Sequence, residues 1–144
     1  MTIWFDMDGT IADLYSVDGW LEDLRAACTR PYEQAACLLN MSQLAKLLHK
    51  AQRHGYEIGI ISWTSKGGNA EYNAAVEAAK RAWLARHLPS VKWDVISIVN
   101  YGTNKFEICG GGILFDDEIQ NRISWQGESY EPNQIINILK LLTF

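Results

Sequence analysis

Near the N-terminus, Thr2-Ile3-Trp4-Phe5 are all β-branched or aromatic and read as a buried strand. The run stops at Asp6-Met7-Asp8-Gly9-Thr10, which sets two carboxylates two residues apart at the strand's exit. In open α/β sheets the reacting groups sit just beyond the carboxyl ends of the strands. Like charges this close repel, and they gain little unless a cation or a reaction calls for them. Asp-Gly is also a turn former, so this stretch alone admits a structural reading as well.

The rest of the chain repeats the alternation. A helix is expected over Met41–His54, with Met41, Leu44, Leu47, Leu48 and Ala51 on one face and Gly55 at its stop. Tyr56–Ile61 reads as a strand ending in Ser62, and Ser65–Gly68 as a loop. Asn69–Leu88 reads as the longest helix, alanine-rich and ended by Pro89. Val95–Val99 is a further apolar strand, followed by a polar, glycine-rich connection that carries Lys105. Ile113-Leu114-Phe115 is a short buried run that again ends in two carboxylates, Asp116 and Asp117. A weak strand near Glu128–Tyr130 and a closing helix over Pro132–Leu142 complete the pattern.

Between the first motif and Met41 the chain is least regular. Trp20, Leu21, Leu24 and Ala27 fall at helical spacing, and Pro31 is expected to break any helix after Arg30. Strands that read as continuous buried runs between helices indicate a parallel sheet covered on both faces, an α/β doubly wound fold. At 144 residues, without repeats or linkers, one domain over 1–144 is expected.

Composition excludes some roles. A formal charge of −4 and a pI near 5.3 disfavour nonspecific nucleic-acid binding, which needs a basic face. No apolar run approaches a membrane span of about 20 residues, so no membrane partner is expected. No basic leader precedes the first strand, and three cysteines without metal-ligand spacing suit a reducing compartment. A cytoplasmic location is therefore the expectation.

In a parallel sheet Asp6 with Asp8, Ser62, and Asp116 with Asp117 open on one edge, and Lys105 lies in the loop before the last pair. Four carboxylates with a hydroxyl and an amine suit a hard cation and a phosphate; Mg²⁺ takes such oxygen ligands. There is no P-loop and no Gly-x-Gly-x-x-Gly, and His49, His54 and His87 form no zinc pattern.

Asp6-Met7-Asp8-Gly9-Thr10, Ser62, Lys105 and Asp116-Asp117 resemble, in order and spacing, the four motifs of the haloacid dehalogenase superfamily. Ser62–Leu88 also looks like the 5′(3′)-deoxyribonucleotidase branch and small phage-encoded relatives. The resemblance implies a three-layer Rossmann-like fold with residues 14–40 as a very small cap. It implies Asp6 as nucleophile, Asp8 as general acid and base, and Ser62 and Lys105 as holders of the phosphoryl group. It further implies Mg²⁺ bound by Asp6, Asp8 (through its carbonyl) and Asp116, with Asp117 in support. Met7, Gly9, Thr10 and Trp63 are the expected neighbours of the substrate. Dehalogenases of this family lack the second Asp, so Asp8 favours a phosphatase or a phosphotransferase.

The implied activity is hydrolysis of a small phosphorylated metabolite, nucleotide-related, through an aspartyl-phosphate. The alternatives are a nucleotide-sequestering protein, a phosphotransferase, and a nucleic-acid 3′-end phosphatase. With so short a cap the mouth is expected to be open or closed by a second subunit, a homo-oligomer. Tyr15, Trp20, Tyr32, Trp63 and Tyr72 are candidates to stack on a base or ring, and Arg25, Arg30 and Lys66 to meet a second phosphate.

Overall fold

The computed structural model describes residues 1–144. Its strands are β1 (Thr2–Phe5), β2 (Ala12–Asp13), β3 (Ala36–Cys37), β4 (Glu57–Trp63), β5 (Val95–Val99), β6 (Ile113–Phe115) and β7 (Ser129–Tyr130). Its helices are α1 (Trp20–Arg25), α2 (Arg30–Gln34), α3 (Met41–Arg53), α4 (Ala70–His87), α5 (Lys105–Cys109), α6 (Ile119–Ser124) and α7 (Ile135–Leu142). Five strands form one parallel sheet in the order β5-β4-β1-β6-β7. The chain moves outward from β1 to β4 and β5, then returns to the other side of β1 for β6 and β7. The reversal falls between β1 and β6, the position where doubly wound sheets bind ligands.

Alternation along β1 sorts its side chains between two faces. Ile3 and Phe5 join Ile58, Ile60, Ile113 and Phe115 in the larger core. Leu44, Leu48 and Ala51 of α3, Ile135 and Leu139 of α7, and Trp83 and Leu84 of α4 belong to the same cluster. Trp4, Ile61 and Leu114 turn the other way, toward Trp125 and toward Phe106 and Cys109 of α5. Gly59 lies opposite Trp4 in register, and a Cβ there would sit 2.6 Å from the indole ring. Mid-strand glycine is therefore what lets that indole lie across β4. Helices on both faces of a parallel sheet give the Rossmann-like α/β fold expected from the sequence.

Several local expectations need correction. Pro31 does not end a helix; it occupies the first turn of α2, where its missing N–H is tolerated. The connection carrying Lys105 is not all loop, because Asn104 accepts bonds from the N–H groups of Phe106 and Glu107 and starts α5. Strand β4 runs on to Trp63 because its pairing with β5 continues to Val99. The irregular region is tied at its base by the antiparallel pair β2–β3, two residues on each side. Above that clasp, α1 and α2 fold over the carboxyl edge of the sheet.

Candidate active site

Strand β1 delivers Asp6 and the Gly9 turn delivers Asp8. The backbone carbonyl of Met7 accepts N–H bonds from Thr10, Ile11 and Ala12 and holds that turn closed. Gly9 has φ +78°, and a Cβ on it would lie 2.7 Å from Cγ of Asp117 and closer still to its Oδ2. Only glycine lets the first motif approach the last so closely.

Strand β6 delivers Asp116 and Asp117. One oxygen from each of Asp6, Asp116 and Asp117 can lie within 4.8 Å of the others. Lys105 Nζ donates to Asp116 Oδ2 at 2.7 Å and to Asp6 Oδ1 at 3.1 Å. Asp116 also accepts from Asn121 Nδ2 at 3.1 Å and from the Glu118 N–H at 2.9 Å. Thr10 Oγ1 stands 3.3 Å from both Asp6 Oδ2 and Asp117 Oδ1 and accepts the Asp117 N–H. When all are ionised, three carboxylates against one ammonium leave two negative charges uncompensated.

The electrostatics register that excess. Burial, followed by the neighbouring Asp6 charge, raises Asp116 to about 6, and Lys105 offsets only part of it. Burial together with Asp6 and Asp116 raises Asp117 to about 8. Burial acts against the Lys105 charge, but Asp6 and Asp116 overcome it and raise its pKa above the usual lysine range. A buried all-oxygen donor set whose carboxyl groups outnumber its one ammonium fits a hard divalent cation, and Asp6, Asp116 and Asp117 are the residues that could hold one.

The side chain of Asp8 is held outside this cluster. Its Oδ2 accepts from Lys80 Nζ at 2.8 Å. The same ammonium donates to Ser62 Oγ and to the Trp63 carbonyl, both at 2.7 Å. Burial raises the Asp8 pKa, against the opposing pull of Lys80.

A cavity of about 470 Å³ opens over these groups, within the usual range for small-molecule sites. Asp6, Asp8, Lys105 and Asn121 line its base. Trp63 and Tyr101 form one wall, with ring centroids 4.9 Å apart, and the Trp63 Nε1–H is anchored on the Thr103 carbonyl. Tyr15, Trp20, Leu21, Leu24, Arg25 and Tyr32 also line it. Short as it is, the segment over residues 14–40 contributes seven of the residues that line the cavity, from Leu14 to Tyr32.

Asp6, Asp8, Lys105, Asp116 and Asp117 thus come together. Ser62 does not reach the cavity: it is fully buried and its hydroxyl is engaged by Lys80. The hydroxyl residues on the wall are Thr64 and Ser65, and Thr64 Oγ1 is buried without a hydrogen-bond partner. Met7 and Thr10 are also off the wall, Met7 with its side chain in the main core and Thr10 bracing two carboxylates. Trp63 lies on the wall as expected, Tyr72 is buried behind it in a smaller core, and Arg30 pairs with Asp23 outside it.

Lys80 is not among the residues that the sequence motifs single out. Its signal is a lysine on the buried face of α4, with Val76 four residues before and Trp83 three after, both buried.

The fold and the carboxyl-edge site define an α/β protein of the doubly wound class with its reactive groups at the switch point. Among solved structures the chain is similar to D,D-heptose 1,7-bisphosphate phosphatase from Burkholderia thailandensis, with a TM-score of 0.50 and 13% identity over 99% of this chain and 74% of that one. That likeness is one of fold. No protein-family model matches the sequence, and no curated protein matches it. No helix is long and apolar enough to cross a membrane.

Proposed function

We propose that this protein is a Mg²⁺-dependent phosphomonoesterase that hydrolyses a small, nucleotide-related phosphate through an aspartyl-phosphate on Asp6. The observation that carries the reading is the separation of roles among the carboxylates. Asp6, Asp116 and Asp117 crowd together with one ammonium that pairs only Asp6 and Asp116, while Asp8 reaches the same cavity on its own lysine.

A carboxylate approaching a phosphate dianion at ~3 Å meets a repulsion of roughly 10 kcal/mol even at an effective dielectric of 20. Bound Mg²⁺ would supply the neutralising charge for that approach. In the first step an oxygen of Asp6 forms a bond to phosphorus while the bond to the leaving oxygen breaks. Asp8 gives its proton to that oxygen, and the alcohol departs. In the second step water attacks the same phosphorus, Asp8 takes a proton from it, and the bond to Asp6 breaks, returning the free carboxylate and phosphate. Lys105 and the unpartnered hydroxyl of Thr64 hold phosphoryl oxygens as charge spreads over them, so the hydroxyl role moves from Ser62 to Thr64. The Trp63–Tyr101 wall offers an aromatic face to a base or ring.

Free phosphate release from a panel of nucleotides and sugar phosphates tests the reading, run with Mg²⁺, with chelator, and with Asp6→Asn. Metal-dependent release that disappears in the variant is the expected result. A silent panel with tight retention of one ligand would identify a sequestering protein instead. Transfer to an added alcohol would identify a phosphotransferase, and steeply salt-dependent release from DNA 3′ ends a nucleic-acid phosphatase.

A further inference from the structure

Lys80 is 1% exposed, at mid-helix in α4, and is absent from the cavity wall. An ammonium has three N–H donors. Here all three are used, on Asp8 Oδ2 at 2.8 Å, Ser62 Oγ at 2.7 Å and the Trp63 carbonyl at 2.7 Å, and none is left for a ligand. The face of Tyr32 closes the site from the side, its ring centroid 5.2 Å from Nζ. Two of the three acceptors belong to the last residues of β4, an interior strand of the sheet, and the third is the side chain of Asp8 in the turn that follows β1. The bonds therefore run from the end of β4 to Asp8 and set the direction of its carboxylate.

We propose that Lys80 is a positioning residue that fixes Asp8 against the end of β4, aiming its free oxygen at the leaving-group oxygen of the substrate. This rests on the role given to Asp8 above. Without the ammonium, Asp8 can rotate about its side-chain torsions, and proton transfer to a departing alkoxide depends on heavy-atom geometry of hydrogen-bond quality. Substrate binding is not touched, because Lys80 does not reach the cavity.

The test compares kcat/KM for p-nitrophenyl phosphate, whose leaving group needs no proton, with that for a nucleoside monophosphate, whose leaving group does. Lys80→Met should lower the second about 10- to 100-fold more than the first, with the loss in kcat rather than KM. In an Asp8→Asn background the same substitution should leave that ratio almost unchanged. Where Lys80→Met does not fold, Ser62→Ala removes one anchor and no charge, and should move the ratio in the same direction by a smaller factor. Equal losses on both substrates, a loss confined to KM, or an undiminished effect in the Asp8→Asn background would overturn the proposal, as would an unchanged ratio in Ser62→Ala. If Asp8→Asn itself shows no leaving-group selectivity, the role of Asp8 fails first; if it does and Lys80→Met does not, only the present inference fails. A wild-type protein inactive on both substrates would overturn the two together.

Discussion

Gly9→Ala concentrates two costs at one atom. The added Cβ sits in a backbone at φ +78°, where an L-residue costs about 1–2 kcal/mol relative to glycine. It also falls 2.7 Å from Asp117 Cγ and 3.1 Å from the Tyr15 ring, against an ordinary carbon contact of about 3.5–4.0 Å. Asp117 must retreat by roughly 1 Å, the shortfall between those distances. The retreat separates it from Thr10 Oγ1, which now stands 3.3 Å from its Oδ1, and opens the three-carboxylate cluster. The backbone term alone should lower Tm by about 3–8 °C in a domain of this size. Displacing a group that supports the metal should weaken Mg²⁺ about 10- to 100-fold. Thermal melts at graded Mg²⁺ separate the two, since the first is present with chelator and the second is a shift in the concentration needed to stabilise. A variant with wild-type Mg²⁺ dependence would refute the placement of Asp117 at the metal, whatever its Tm.

Thr64→Val should stabilise the fold by about 1 kcal/mol, because it removes a buried hydroxyl that has no partner, while raising KM or the inhibition constant of free phosphate. A urea midpoint and a phosphate inhibition curve measure both. Lys105→Met leaves Asp6 and Asp116 without their shared ammonium, and should cost about 3–5 kcal/mol in a chemical denaturation series at neutral pH. The raised carboxyls of Asp116, at about 6, and Asp117, at about 8, bind more protons folded than unfolded above the ordinary value of 3.8. Stability with chelator should therefore fall as pH rises from about 4 toward 8, and Mg²⁺ should raise Tm more at the alkaline end. Calorimetric scans across that range would contradict the assignment if Mg²⁺ stabilised equally at both ends.

The sheet was legible because each central strand carries a short, mostly apolar run, and Asp6 and Asp116 stand where two such runs end. Propensity alone could not locate the end of β4. Its pairing with β5 carries it to Trp63, so the hydroxyl that emerges at the cavity belongs to Thr64 rather than Ser62. Lys80 was hidden in an alanine-rich helix, where a lone lysine ordinarily marks the solvent side; only its buried neighbours at helical spacing betray it. The cover over the site rests on a clasp of two-residue strands, too short for any alternation to register. Pro31 is ambiguous in sequence for a related reason, since proline both stops and starts helices and only the chain before it decides which.

The nucleophile can be examined chemically. Rapid quenching during turnover, followed by borohydride reduction and peptide mass spectrometry, converts an acyl phosphate on aspartate to homoserine. Homoserine at position 6, formed only with substrate and Mg²⁺ and absent from Asp6→Asn, is the expected result. Phosphate release without it, or homoserine at Asp8, Asp116 or Asp117 instead, would contradict Asp6 as the residue that takes the phosphoryl group.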